Sequence, residues 1–474
     1  MTSRRFSPCV LVILAIASWA IGSATASAAT SCVAPSGADG CYASIQAAID
    51  AAHAGDTIAI HPGDYAENVT VDKPLTLGGT DREKVVIYPA VSNPNPCNGS
   101  SLCGGMASNI ILVQADNVTI HDMVLDGDNP DLTSGIVRGG ADLDARNGII
   151  TNYLAGTFNA LTVYNVTVQN IYLRGMYASS GGTFAFHHNR VDNVQGDYFS
   201  IAMFNFGGAG TMASNRVSRA NDAISSNWST GVRFLGNVIT ESASGVHTDN
   251  SSGRDLIAGN RVSRGNSLTS GSPSYGIWTF VPYAPVTVRG NRVDDVDVGL
   301  AEFGQAVGVT SPGATTFIDN VVTGDKRSGS VGAIVTTDQL GYGSNSVVAS
   351  FSGNVVSGFA DGFSLQSDPG NTISVRATCN DIRHNTRSAA SMGAYQPSAA
   401  GQQDISFESN NITTKGVGFA NLAIGTVDAQ KNWWGCHAGP GARECSSVSG
   451  DVDFRFWLQQ PSQCAINREA DDDR

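Results

Sequence analysis

One residue returns along this chain at nearly constant intervals. Asparagine stands at positions 165, 189, 215, 237, 260, 291, 320, 354, 380, 410 and 432, ten intervals over 267 residues, or about 27 each. Around it the same phrase recurs: a short alternating stretch, a Gly or small polar residue, the Asn, then a β-branched pair. Phe234-Leu235-Gly236-Asn237-Val238-Ile239 and Val288-Arg289-Gly290-Asn291-Arg292-Val293 are two examples. A fixed period of this length specifies a solenoid. Val, Ile, Thr and Gly with period-two alternation make its elements strands, which excludes helical repeats. Leucine is too scarce for leucine-rich repeats. What remains is all-β: a single-stranded right-handed parallel β-helix (solenoid), two or three strands per coil, each coil rising about 4.8 Å. The repeated Asn then stacks on itself and satisfies turn backbone groups. Asn68, Asn117 and Asn165 also fall in Asn-X-Thr sequons and are read as turn chemistry.

An open stack needs covered ends. At the N-terminal end Ser44 is placed to cap a helix carrying Ile45, Ala48, Ile49 and Ala52 on one face, with Gly55 to end it. Strands follow at 57–60, 68–71 and 75–79. At the other end, the loop between Cys436 and Cys445 and the apolar run 454–458 are the expected cover. Residues 1–29 read as a signal peptide: Arg4 and Arg5, an apolar run from Val10 to Ile21, then small residues to Ala29. That run is too short for a membrane span. Residues 30–465 form the β-helix domain with its caps, and 466–474 an acidic disordered tail.

Cys9 leaves with the signal peptide, so eight of the nine cysteines remain. An even count in an exported chain points to disulfides. Close spacing pairs Cys32 with Cys41, Cys97 with Cys103 and Cys436 with Cys445. The second would pin an insertion around Pro94 to Gly105. Cys379 and Cys464 are left over, and whether they pair is open. No CxxC pair or His-rich cluster favours metal ligation instead. The net charge of −13 argues against nucleic acid, which needs clustered Lys and Arg. It also disfavours anionic polysaccharide unless a cation such as Ca²⁺ bridges the two.

Two segments carry a resemblance. Ser44-Ile45-Gln46-Ala47-Ala48-Ile49, Gly55-Asp56-Thr57-Ile58, Pro62-Gly63-Asp64-Tyr65-Ala66-Glu67 and Leu75-Thr76-Leu77-Gly78-Gly79 together resemble the opening coils of the pectin-lyase-like superfamily. Asn432-Trp433-Trp434-Gly435 resembles the phrase that closes many bacterial secreted β-helix repeat proteins. The resemblance implies the fold. It implies no single activity, because this fold hosts lyases, hydrolases, esterases, epimerases and non-enzymes. Gln305-Ala306-Val307 and Asp294-Asp295 are similar to fragments of pectin methylesterase and polygalacturonase motifs, but their companion motifs are missing.

A second strand follows most marker Asn residues by about ten residues, as in Gly245-Val246-His247-Thr248-Asp249 and Gly276-Ile277-Trp278-Thr279-Phe280. Alternation turns Met176, Ile224, Val246 and Ile277 inward. It turns Tyr177, Asn227, His247, Asp249, Trp278 and Phe280 outward, as one strip across stacked coils. Aromatic platforms beside hydrogen-bonding groups suit glycans. Tyr177, Asn227, Trp278 and Phe280 are therefore the substrate-binding candidates, and His247 and Asp249 the catalytic ones. The alternative is an ordinary solvated sheet face. Asp197 and Asp222 lie seven or eight residues after their markers in successive coils. Stacked carboxylates would share a proton or a Ca²⁺ ion, or serve as a glycosidase pair; otherwise both are turn caps. His187-His188 is read as a surface pair. The functional expectation is a secreted or cell-surface protein that binds or acts on polysaccharide, as a polysaccharide lyase or glycoside hydrolase. The competing class is a non-catalytic structural or adhesive surface protein.

Overall fold

In the computed structural model the described residues are 28–249, 252–266, 272–304, 313–337, 345–368, 370–394 and 402–466. The leader run, Gln305-Ala306-Val307 and residues 467–474 of the tail lie outside them. The chain winds through three parallel faces. Face one is a 16-stranded sheet from Thr30–Val33 to Val452–Asp453. Face two runs from Gly63–Ala66 to Asn411–Thr413, and face three from Val69–Val71 to Ser447–Ser449. The long strand Thr167–Ala178 bends through faces two and three together. Among the described residues the single antiparallel pairing is the small ribbon of Val137–Arg138 with Ala141–Asp142. This is a parallel β-helix.

The turn between faces one and two holds the asparagines. From Asn215 to Asn410, each Nδ2 donates to a carbonyl one coil back and to the Oδ1 of the next Asn, and each Oδ1 accepts the backbone N–H and Nδ2–H of the Asn before it. For Asn291 these contacts are 3.0 Å to Ile257 O, 2.9 Å to Asn320 Oδ1, 2.8 Å from Asn260 N and 2.9 Å from Asn260 Nδ2. All four hydrogen-bonding positions of the amide are filled. The residue before each Asn has positive φ, which explains Gly at 236, 259, 290 and 353. Asn165 departs from the expected ladder. It takes that positive-φ position itself, at 53°, and Val166 stands where the ladder Asn would be, its N–H donating to Asn189 Oδ1. The ladder therefore begins at Asn189. Asn117 is likewise a positive-φ turn residue.

On face three Met176, Met203, Ile224, Val246, Ile277 and Leu300 stack in register and are fully buried. Further along, the core becomes aromatic, with Phe317 stacked on Phe351 and then Phe363, Phe407 and Phe419 edge to face. The N-terminal helix is Ile45–Ala51, capped by Ser44 and burying Ile45, Ala48 and Ile49. Glu67 reinforces the cap through Ser44 Oγ and the N–H groups of Ile45 and Gln46. Ala52, not Gly55, ends the helix. At the far end the buried Trp434 closes the core. Phe454 and Trp457 pack on it, but Phe456 is exposed, so the apolar run covers the end only in part. Cys32–Cys41, Cys97–Cys103, Cys436–Cys445 and Cys379–Cys464 are all disulfides. Among the described residues no helix is long and apolar enough to cross a membrane.

Candidate functional site

Because pairing is in register, the outward row of face three reads Tyr177, Phe204, Ser225, His247, Trp278, Ala301 from coil to coil. Two residues further along each strand, Phe206, Asn227 and Asp249 stand in line, as do Phe280 and Phe303. A third row, on the other side, runs Arg174, Ile201, Asp222, Ser244, Tyr275. The three rows line a cavity of about 490 Å³, together with Tyr198, Phe199, Ser272 and Pro273 from the adjoining loops. Asp222, Asn227, His247, Asp249, Trp278 and Phe280 all line it.

Ser244 is the hub of its polar wall. Its Oγ accepts the Trp278 indole N–H at 2.7 Å, lies 3.5 Å from His247 Nδ1 and hydrogen-bonds Asp222. His247 Nε2 is 2.7 Å from Ser225 Oγ, and the Trp278 ring lies on the imidazole at 4.1 Å. His247 is only 3% exposed and Ser225 0%. Burial pushes the imidazole down to about 3, so it is neutral at physiological pH. Asp222 opens partly onto the cavity, yet enough protein surrounds it that desolvation raises its carboxyl to about 7, against the opposing pull of the Ser244 hydrogen bond and the Arg174 charge. Trp278 is half-buried, with Tyr275, Phe280 and Phe303 around its other edges.

Two candidates fall elsewhere. Tyr177 is buried, stacked on Phe204 at 4.6 Å, and belongs to a neighbouring apolar cluster and a second cavity. Asp197 does not stack on Asp222. The loop after Val194 adds residues, so Ile201 takes the register position beside Asp222. Asp197 instead caps that turn, Oδ1 accepting the Phe199 N–H at 2.8 Å. The expected carboxylate stack therefore does not form. Asp294 and Asp295 are ion-paired with Arg292 and Arg327. His187 stacks on Tyr164, and Tyr164 on His121, as an outward row on face one.

Arg174 and Ser244 were not found by sequence reasoning. Arg174 is buried in mid-strand, over the Phe204 ring at 4.8 Å, with Nε donating to Ser101 Oγ at 3.2 Å and Nη1 to the Phe199 carbonyl. Burial lowers it to about 10, which leaves it charged at neutral pH. The signal that could have found it is one Arg inside the apolar run Ile171-Tyr172-Leu173-Arg174-Gly175-Met176. Among the described residues the one group of metal-ligating atoms in mutual reach is Cys32, Cys41 and His61. Its two cysteines are disulfide-bonded, which removes them as thiolate ligands.

No protein-family model and no curated protein matches the chain. Solved structures do. The A-module of a mannuronan C-5 epimerase from Azotobacter vinelandii is 15% identical, with 88% of this chain and 95% of that one covered and a TM-score of 0.45. An alginate lyase from a Paenibacillus species is 13% identical, with 79% and 97% covered and a TM-score of 0.39. A pectin methylesterase from Erwinia chrysanthemi is 14% identical, with 59% and 90% covered and a TM-score of 0.35.

Proposed function

We propose that this is a secreted polysaccharide-acting protein of the pectin-lyase-like type, and that the cavity on face three hydrolyses glycosidic bonds. One observation carries the reading. Asp222, still half-protonated near neutral pH, stands in a cavity walled by Trp278, Phe280 and Phe303. An aromatic wall holds the flat apolar face of a sugar ring. A carboxyl raised by burial is the form of acid that protonates a leaving oxygen at neutral pH. Asp222 then donates its proton to the departing glycosidic oxygen as the sugar C–O bond breaks, and Asp249, in the row on the opposite side of the cavity, takes a proton from the water whose oxygen forms the new bond to that carbon. Elimination would need an open base. His247 does not supply one, because it is nearly closed to solvent and its Nε2 is already engaged by Ser225. Its part is to hold the wall.

The test is turnover of a panel of plant and microbial polysaccharides, read as new reducing ends. Asp222→Asn should lower kcat at least about 100-fold, the low end of the range for losing a general acid. Trp278→Ala should weaken binding by about 1–3 kcal/mol. Full turnover by Asp222→Asn, or products carrying a new carbon–carbon double bond, would refute hydrolysis at this site.

A further inference from the structure

A second cavity, of about 400 Å³, opens on the same face toward the N-terminal end. It shares Arg174, Phe204 and Asn227 with the first. The remaining wall is Ser100, Ser101, Tyr153, Tyr177, Ser179 and Phe206, together with Gly99 and Ser180, so it carries hydroxyls and rings and no carboxylate.

One side of this cavity is an insertion held with unusual firmness. The Cys97–Cys103 disulfide closes it. Arg146, 0% exposed, reaches into it from face three. Its guanidinium donates to the carbonyls of Pro94 at 2.8 Å, Ser100 at 2.9 Å and Ser101 at 3.2 Å. Asn147 Nδ2 donates to Ser101 O at 2.8 Å. The Tyr153 hydroxyl accepts the Leu102 N–H at 2.9 Å and lies 2.8 Å from Ser100 Oγ. Burying an arginine is costly. Here that cost fixes a loop that buries Leu102 in the cluster of Ile150, Tyr177 and Phe204 and keeps Gly99 and Ser100 at the surface. It also fixes the position of Ser100 and Ser101 against Arg174 and Tyr153. A rigid wall of that kind is how a binding site avoids ordering its own loop when the ligand arrives.

We propose that the second cavity is a distal sugar-binding subsite, and that one polysaccharide chain runs along the helix axis through both cavities, across the ridge of Arg174, Phe204 and Asn227. From Tyr177 to Ala301 the outward row spans five coil spacings, roughly 24 Å at the standard strand spacing. Binding is therefore shared between a reacting site around Asp222 and a holding site around Tyr177 and Phe206, and the protein selects polymers over short oligosaccharides. Remote contacts of this kind raise kcat as well as affinity.

The inference rests on the first cavity being a polysaccharide site, and the experiment separates the two. Calorimetry measures binding of disaccharides and hexasaccharides of the cello-, galacturono- and mannuronate series to the full chain. A hexasaccharide should bind at least tenfold more tightly than its disaccharide. Phe206 is 40% exposed and belongs to no core cluster, so Phe206→Ala leaves the core intact. It should weaken hexasaccharide binding about tenfold and leave disaccharide binding unchanged. Trp278→Ala should weaken both. Equal affinity for the two lengths, or hexasaccharide binding untouched by Phe206→Ala, would overturn the distal subsite while leaving the first cavity standing. If no oligosaccharide binds the native chain, the polysaccharide reading falls and the subsite with it.

Discussion

Two buried polar columns run along the axis of this solenoid, and they are built to different standards. The Asn ladder fills the turn between faces one and two, and every interior rung has four hydrogen bonds. The other column lies on the inner side of face three, directly beneath the candidate site. In register it reads Asn205, Ser226, Thr248, Thr279, Glu302. Asn205 Nδ2 bonds Ser226 Oγ at 2.8 Å, and Thr279 bonds one Glu302 oxygen. Asn205 Oδ1 and Thr248 Oγ1 make no hydrogen bond, and Glu302 Oε1 faces the Thr315 hydroxyl. Buried polar atoms are normally paired, and the exceptions gather where function competes with stability. The same repeat supports both columns, so the difference lies in the residues placed on it. One column serves only the fold, whereas the other backs a surface that changes from coil to coil.

Breaking the ladder should have the largest effect. Asn291→Ala strands two donors of Asn260, its N–H and its Nδ2–H, and leaves Ile257 O without its donor. Each buried unsatisfied group costs roughly 1–3 kcal/mol, so a loss of about 3–5 kcal/mol is expected in chemical denaturation. A loss below about 1 kcal/mol would mean that water enters the turn and replaces the amide.

The ladder was also the part most legible in the sequence, and for the same reason. A residue that must repeat to satisfy its neighbour leaves a period. The inward row Met176, Ile224, Val246, Ile277 was legible from alternation, and the N-terminal cap from Ser44. The cavity was legible only in part. Trp278 and His247 could be placed because Gly245 and Gly276 mark their strands. Arg174 stands immediately before the equivalent Gly175, one position outside the phrase used to place the strip, and its strand Thr167–Ala178 runs through the corner where other coils break. Asp197 was misplaced because counting from Asn189 assumes coils of equal length, and the loop to Ser200 breaks that count. Nothing local announces that Arg146, more than 40 residues downstream, anchors the 97–103 loop. That contact depends on coil stacking.

A smaller effect should come from acid–base behaviour of the second column. Glu302 is fully buried, and desolvation raises its carboxyl to about 7 from an ordinary 4.5, against the Thr279 hydrogen bond. The folded state therefore holds a proton that the unfolded state releases. Its stabilising contribution is complete below about pH 4.5 and is lost as pH rises through about 7. Up to about 3 kcal/mol should disappear over that window, at 1.36 kcal/mol per pH unit. Glu302→Gln should remove this share of the slope and leave the part carried by Asp222 and Asp255. Carboxylates lowered by ion pairing, such as Asp192 with Arg219, act in the opposite sense and below about pH 4, so the windows do not overlap. An unchanged slope in Glu302→Gln would assign the dependence to Asp222 and Asp255, which burial also raises to about 7.

The smallest effect has the opposite sign. Thr248 is buried beside His247 and its hydroxyl has no partner. Thr248→Val keeps the shape and removes the unpaired oxygen. A buried hydroxyl without a hydrogen bond costs roughly 1–3 kcal/mol, and part of that is recovered when a methyl takes its place. The variant should be more stable by about 1 kcal/mol, which for a chain of this size is a rise of a few degrees in Tm at most. Substitutions in the ladder should never stabilise, because no atom there lacks a partner. The contrast extends to activity. If the loosely bonded column lets the cavity wall adjust, Thr248→Val should gain stability and lose turnover together. A destabilised Thr248→Val would show that the hydroxyl is bonded to buried water, and the two columns would then be satisfied to the same standard by different means.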